Sequence, residues 1–388
     1  MKTKRIILLL LLLPVYSYAQ VVTGAERLAA YLPMLAGKQV GVVVNATSVV
    51  GAHRKNVVDT LLSSGVMVTK IFCPEHGFRT FADAGQNISD SVDPLTNLPV
   101  ISLYGKKKKP SPEDLQGVDV VVFDLQDVGV RFFTYISTLT YVMEACANLN
   151  IPVIILDRPN PNGFYIDGPV LEPGNASFVG LHPVPVVYGM TIGEYARMVN
   201  GEKWLKSVRH CELSVITIEN YTHSTLYELP VKPSPNLANQ NSVRLYPSVC
   251  FFEGTIVSVG RGTLSPFEIF GHPGLKSYSF TFTPVSIPGM SKHPPYEGLL
   301  CYGTDLRNYY GTTRKVPNQI NLSWLIAAFR SWGSNPDFFN DYFDKLAGST
   351  ALRRQILEGK TEDQIRLSWQ PGLEKFRKIR KKYLLYPE

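Results

Sequence analysis

No cysteine pair in this chain has the spacing of a metal site or a redox motif. Cys73, Cys146, Cys211, Cys250 and Cys301 are odd in number and far apart, with no CxxC among them. A disulfide framework is thereby excluded, and at least one thiol is free or intermolecular. Cys73 ends an apolar run and Cys146 lies on an apolar helix face, so buried thiols are expected there. The chain also lacks a GxSxG elbow, a Walker loop, an HExxH pair and a GxGxxG after its first strand, where Asn45-Ala46-Thr47 stands instead. Serine-elbow hydrolases, P-loop NTPases, zincins and dinucleotide enzymes are disfavoured, and no cofactor or metal is expected. There is no internal repeat, no low-complexity tract, and no run after residue 19 with the length and apolarity of a transmembrane helix.

The N-terminus is different in character. Met1-Lys2-Thr3-Lys4-Arg5 is basic, Ile6–Leu13 is unbroken apolar sequence, and Ser17-Tyr18-Ala19 supplies small residues for a signal peptidase. Residues 1–19 are expected to be a cleaved signal peptide, making the protein exported, periplasmic or secreted. Removing them lowers the formal net charge from +7 to +4. A balance this mild does not argue for nucleic acid, although an anionic wall polymer would suit it. The single charge run, Lys106–Lys109, precedes Pro110 and reads as a solvated loop.

A chain of this length exceeds one ordinary core, so two domains are expected, over 20–205 and 206–388. In the first, short β-branched runs alternate with helix-like stretches such as Glu26–Leu35, Arg54–Ser64 and Phe133–Leu149. That alternation predicts an α/β fold with a Rossmann-like parallel sheet. Thr191 and Glu194 have capping-box spacing at a helix entry, which marks Glu194 as a cap. The second half reads as a smaller α+β domain that closes a cleft. Ser214–Ile218 and Val249–Val259 are strand-like there, and Gly271–Tyr296 suggests short antiparallel strands. Helices are expected over Leu322–Ser331, Asp337–Leu346 and Pro371–Tyr383.

Four of the apolar runs stop at polar clusters. Lys38–Val44 runs into Asn45-Ala46-Thr47-Ser48, and Val66–Phe72 into Pro74-Glu75-His76-Gly77-Phe78-Arg79. Val118–Phe123 leads to Asp124-Leu125-Gln126-Asp127-Val128-Gly129-Val130-Arg131, and Ile151–Leu156 to Asp157-Arg158-Pro159-Asn160. Open parallel sheets bind ligands beyond the carboxyl ends of their strands, so these clusters are expected to converge on one site. Pro74 and Gly77 frame a tight turn that would aim Glu75 into the crevice. Asp124 and Asp127 are a carboxylate pair, one of them suited to hold Arg131, while Arg158 has the planar fork that matches a carboxylate. In the second half, Glu253 sits among aromatics before Gly254, a setting that raises a carboxyl pKa and suits a general acid. Each has a plain structural alternative as a loop ion pair or cap.

With these residues and several further strings the chain resembles the NamZ-type exo-β-N-acetylmuramidases, a family first catalogued as a domain of unknown function. The strings are Asn45-Ala46-Thr47, Pro74–Arg79, Asp124–Gly129 with Arg131-Phe132-Phe133-Thr134-Tyr135, Asp157–Pro161 and Gly189–Glu194. Pro235-Asn236-Leu237, Phe252–Thr255 and Tyr383–Tyr386 continue it, so the resemblance covers nearly the whole mature chain. It implies a Rossmann-like domain, a smaller C-terminal domain and a cleft between them. The implied reaction is hydrolytic release of N-acetylmuramic acid from the non-reducing end of peptidoglycan-derived muramyl glycans. Glu75 matches the family's loop glutamate and is the expected acid/base residue, with Glu253, Asp124 and Asp127 as candidate partners. Asn45, His76, Arg79, Gln126, Arg131, Tyr135, Arg158 and Asn236 are the candidate substrate-binding residues. Arg131 or Arg158 would read the lactyl carboxylate. Phe133 stands where tyrosine is expected in many relatives, which removes a hydroxyl from the site.

Two other classes fit the same residues. A metal-dependent esterase or deacetylase would use Glu75, His76 and the aspartates as ligands, and a non-catalytic muropeptide-binding protein would only grip sugar. Muramyl glycans are the partner in each reading, nucleic acid is not, and a homodimer stays open.

Overall fold

The computed structural model describes residues 20–79, 89–310 and 316–388. The signal segment expected over 1–19 lies outside the described residues. Twelve strands occur among those described. β1 (Gln39–Val44) is followed by a two-stranded ribbon, β2 (Val49–Val50) and β3 (Lys55–Asn56). Then come β4 (Met67–Cys73), β5 (Ser91–Val92), β6 (Pro99–Ser102), β7 (Val120–Asp124), β8 (Val153–Leu156) and β9 (Leu213–Ile216). A three-stranded antiparallel sheet of β10 (Ile269–His272), β11 (Phe280–Phe282) and β12 (Cys301–Asp305) belongs to the second half.

The main sheet has the order β5-β6-β4-β1-β7-β8-β9, and only β5 is antiparallel. Among the parallel strands the chain starts at the centre with β1, works outward to β6, then crosses back to β7 and works outward the other way. This is the doubly wound order, and the reversal falls between β1 and β7. The β-branched runs become these strands because both sheet faces are covered. Side chains alternate across the sheet. Val40, Val42 and Val44 pack on one face with Tyr31, Leu61 and Ile154. Val43, Phe72, Phe123 and Ile155 pack on the other, in a core that runs without a break into Phe251, Phe252 and Phe343 of the second half. β9 lies beyond residue 205, the boundary expected from the sequence, so the sheet itself extends past that point.

Several elements differ from the sequence expectation. The first three helices begin later than expected, at Leu28, Val57 and Tyr135. Val249–Val259 is not a strand: the helix Gln240–Val249 continues as a 3-10 turn over Cys250–Gly254. A short apolar run buried on every side carries no periodicity to separate the two. The last helix starts at Glu362, capped by Thr361 and Gln364, and continues through Pro371 to Arg380. Thr191 and Glu194 do form the expected capping box. Lys106–Lys109 is tied down: Lys107 pairs with Asp90 and Asp114, Lys109 pairs with Glu144, and Lys108 lies over Phe178. No helix among the described residues is long and apolar enough to cross a membrane.

Candidate active site

The four polar clusters do meet at the carboxyl ends of β1, β4, β7 and β8, in two tiers. The lower tier is buried. Arg158 grips Asp124 side-on, with Nε to Oδ1 at 2.5 Å and Nη2 to Oδ2 at 2.8 Å, both residues being buried. The second Nη2 contact is the Val49 carbonyl at 3.0 Å. Asn45 Oδ1 accepts from the Thr47 amide and hydroxyl, and Thr47 accepts from the Gln126 amide. The Gln126 side chain donates to the Asp127 and Pro159 carbonyls at 2.8 Å. Asp127 Oδ2 accepts from the Gly129 amide at 2.6 Å and from the Tyr188 hydroxyl. Glycine at 129 follows from its φ of 75° and from Asn160, whose side chain occupies the space of any Cβ.

Burial raises the pKa of Asp124, against the pull of Arg158. It pushes Asp127 up to about 7, opposed by the hydrogen bonds from Tyr188 and the Gly129 amide. The expectation that an aspartate holds Arg131 is corrected by the structure. Arg131 is fully buried and donates to the carbonyls of Pro169, Val184 and Leu346 at 2.7–2.9 Å. Arg79 is likewise engaged elsewhere, by Asp59 and Asp93. Neither arginine, nor Arg158, is among the side chains that line the cleft.

The upper tier is the cleft itself. Glu75 and His76 enter it from the turn after β4, where His76 and Gly77 are successive residues with φ of 76° and 83°. A non-glycine residue held there is strained, and such strain concentrates at functional turns. His76 Nε2 lies 3.3 Å from the Ser234 hydroxyl, which also accepts from the Asn236 amide. Tyr135, at the start of the helix Tyr135–Leu149, accepts from Asn45 Nδ2 at 2.7 Å and so links the tiers. Tyr104 hydrogen-bonds Glu75; burial first, and then the Glu75 charge, raise its phenol pKa. Phe133 packs edge-on to Tyr135 and Tyr246, completing an aromatic wall with Phe132 and Phe267.

The far side comes from the second half. Asn236 donates Nδ2 to the Met290 carbonyl at 3.0 Å. Glu253 Oε1 takes Arg261 Nε at 2.8 Å and Nη2 at 2.7 Å, while the Cys250 thiol lies 3.5 Å from Oε2. Burial disfavours the Arg261 charge, but Glu253 outweighs it and holds the pKa above its ordinary value. The cleft encloses about 70 Å³. A larger cavity of about 740 Å³, between Trp204 and the helices Ala351–Leu357 and Glu362–Arg380, is mostly apolar, with Glu172, Glu202 and Lys375 among its lining residues. The smaller one is the candidate active site, because it is where the polar clusters at the ends of β4 and β7 meet residues of the second half. Among the described residues no three His, Cys, Asp or Glu side chains come together as metal ligands, and all five cysteines are buried and unpaired.

Residues 40–241 match the family model described as "Exo-beta-N-acetylmuramidase NamZ, N-terminal", and residues 244–386 match its C-terminal counterpart. The chain belongs to the NamZ exo-β-N-acetylmuramidase family. It is 40% identical to the peptidoglycan beta-N-acetylmuramidase NamZ of Bacillus subtilis (strain 168), an alignment covering 95% of this chain and 92% of that one. Two crystal structures of DUF1343 family proteins from Bacteroides fragilis NCTC 9343 have the same fold. One superposes with a TM-score of 0.86 at 44% identity, covering 95% of this chain and 100% of its own. The other gives 0.78 at 28% identity over 94% and 99%. Family membership makes the protein a glycoside hydrolase.

Of the residues singled out in the sequence, Glu75, His76, Tyr135 and Asn236 line the cleft. Glu253 reaches it through Arg261, while Asn45, Asp124, Gln126, Asp127 and Arg158 form the layer beneath. Arg261, Tyr104, Ser234 and Tyr246 were not legible as site residues. Arg261 did carry a signal: it stands between Gly260 and Gly262, after the β-branched stretch Ile256-Val257-Ser258-Val259.

Proposed function

We propose that the protein is an exported, exo-acting muramidase that releases N-acetylmuramic acid from the non-reducing end of peptidoglycan-derived glycans, with Glu75 as its general acid/base. The observation that carries this reading is the placement of Glu75 on a strained turn facing an aromatic wall. The name of the Bacillus subtilis relative supports the substrate class.

In this reading Glu75 protonates the glycosidic oxygen as the C1–O bond breaks, and water supplies the hydroxyl that ends on C1. The leaving sugar departs with the Glu75 proton, and the proton from water restores the carboxyl. The Phe132, Phe133, Tyr246 and Phe267 wall packs on the apolar faces of the ring and keeps bulk water from the oxocarbenium-like centre. His76, tied to Ser234, holds the turn. The buried Asp124–Arg158 pair and the Asn45–Thr47–Gln126 chain of hydrogen bonds hold the floor from below.

The test is release of free N-acetylmuramic acid from the N-acetylmuramyl-β-1,4-N-acetylglucosamine disaccharide. Turnover is expected with and without chelator. Glu75→Gln should lower it at least about a hundredfold with an unchanged melting curve. A folded Glu75→Gln protein that turns over normally would remove Glu75 from this role.

A further inference from the structure

Two buried polar atoms on cleft-lining residues have no hydrogen-bond partner within the protein, Nη1 of Arg261 and Oδ1 of Asn236. An orphaned buried donor or acceptor is costly, and a charged donor more so, which makes each one a candidate for a ligand. The surroundings fix both atoms rather than satisfying them. Gly260 and Gly262 have φ of 79° and 81°. A Cβ would meet Ile269 Cγ1 at 2.5 Å from the first and Pro294 Cγ at 2.5 Å from the second. Only glycines can build this loop, and it holds Arg261 over the Phe267 ring at 5.3 Å. Glu253 engages Nε and Nη2 with one carboxylate oxygen, leaving the opposite donor, Nη1, unused. The side chain keeps 22% exposure overall, yet Nη1 itself is inaccessible. For Asn236, donation of Nδ2 to Met290 sets the amide so that Oδ1 is the open acceptor.

We infer that Arg261 binds the lactyl carboxylate that distinguishes N-acetylmuramic acid from N-acetylglucosamine, while Asn236 accepts from an N–H or O–H of the same sugar. Glu253 is then a positioning residue that orients the guanidinium. This deepens the muramidase reading and rests on it. Elimination points the same way: Arg79 is held by two aspartates, Arg158 by Asp124 and Arg131 by three carbonyls. Arg261 is the one guanidinium among the described residues that line the cleft. A guanidinium edge is also the group best matched to a carboxylate.

The experiment compares kcat/KM on an aryl β-N-acetylmuramide and on its lactyl amide, a neutral group of the same shape in which one acceptor oxygen is replaced by NH2. Wild type should prefer the acid at least about tenfold, as expected for a hydrogen bond between charged groups. Arg261→Met should lose that preference through a fall on the acid, with the amide moving less than about threefold, and Arg261→Lys should keep part of it. Glu253→Gln should erode the same ratio. Equal losses on acid and amide in Arg261→Met, or a wild type that does not discriminate, would overturn the assignment. Hydrolysis of neither glycoside by wild type would sink the muramidase reading instead. Calorimetric titration with free N-acetylmuramic acid and N-acetylglucosamine then decides the inference. Preferential binding of the former, abolished in Arg261→Met, supports it; equal binding, or none, refutes it.

Discussion

Replacing Arg131 by methionine tests the distinction between an arginine that reads substrate and one that holds the fold. Its guanidinium donates to Pro169 and Val184 in the first half and to Leu346 in the second, so one side chain staples three segments. Each bond from a charged donor is worth about 1.5–3 kcal/mol, and methionine leaves all three carbonyls buried without a partner. Against this stands the desolvation of the cation, which pulls its pKa down to about 9 and is relieved on substitution. Three carbonyls left buried without a partner, at about 1–3 kcal/mol each, outweigh that relief, so a net loss of about 3 kcal/mol is expected. Urea denaturation followed by tryptophan fluorescence would measure it, with a melting temperature lower by roughly 5 °C as the companion readout. Below that temperature the variant should keep its preference for the muramyl acid over the amide, because Arg131 faces carbonyls and not the cleft. A stability change under about 1 kcal/mol would refute the carbonyl-staple argument. Loss of the acid preference in a folded variant would move the carboxylate site away from Arg261.

Two further outcomes follow from the geometry. Asp127 has its folded pKa raised to about 7 by burial, above the roughly 3.9 of an unfolded chain. The folded state therefore holds the proton more tightly, and the associated stability is fully present below about pH 4 and lost as pH rises through 7. Asp127→Asn should flatten that slope, read as the difference in urea midpoint between pH 5 and pH 8; an identical slope in wild type and variant would contradict a buried, protonated Asp127. Gly262→Ala forces a left-handed alanine whose Cβ meets Pro294 and the Val285 carbonyl. It should lower kcat/KM on the muramyl acid at least about tenfold by displacing Arg261, and unchanged kinetics would show that this loop does not set the guanidinium.

Much of the architecture could be read from local pattern. Val-rich runs buried on both faces gave β1, β4, β7 and β8, and the polar clusters at their ends marked the crevice, because a parallel sheet puts all carboxyl ends on one side. The turn Pro74-Glu75-His76-Gly77 was legible for the same reason. What sequence could not divide was the crevice from the layer beneath it. Asp124 pairs with Arg158, 34 residues away, while Arg131, the nearer candidate, reaches to Leu346. Ion pairing is decided by the topology that brings strand ends together, and spacing along the chain does not encode it. The Val249–Val259 run failed for a different reason, since complete burial erases the alternation by which strand and helix are told apart. Glu253 is legible as a carboxylate among aromatics, whereas its partner Arg261, eight residues on, is marked in sequence only by the glycines on both sides.

The buried lower tier gives the cleft a rigid floor. Burying Asp124, Arg158, Asp127, Asn45 and Gln126 costs free energy unless nearly every polar atom is bonded, and most of them are. Such a layer adds little net stability; what it adds is a floor with one arrangement, because any shift breaks several buried bonds together. Tyr135 rests on that floor through Asn45 and rises into the cleft, so the aromatic wall is registered against the strand ends. The opposite wall is registered differently, through a core that runs continuously from Phe123 to Phe251 and Phe343, and through Arg131 at Leu346. Glu75 comes from the sheet and Arg261 from the second half. Their separation is therefore set by packing across the whole molecule, and the proposed action of this carboxylate and guanidinium on one sugar requires that kind of fixed span.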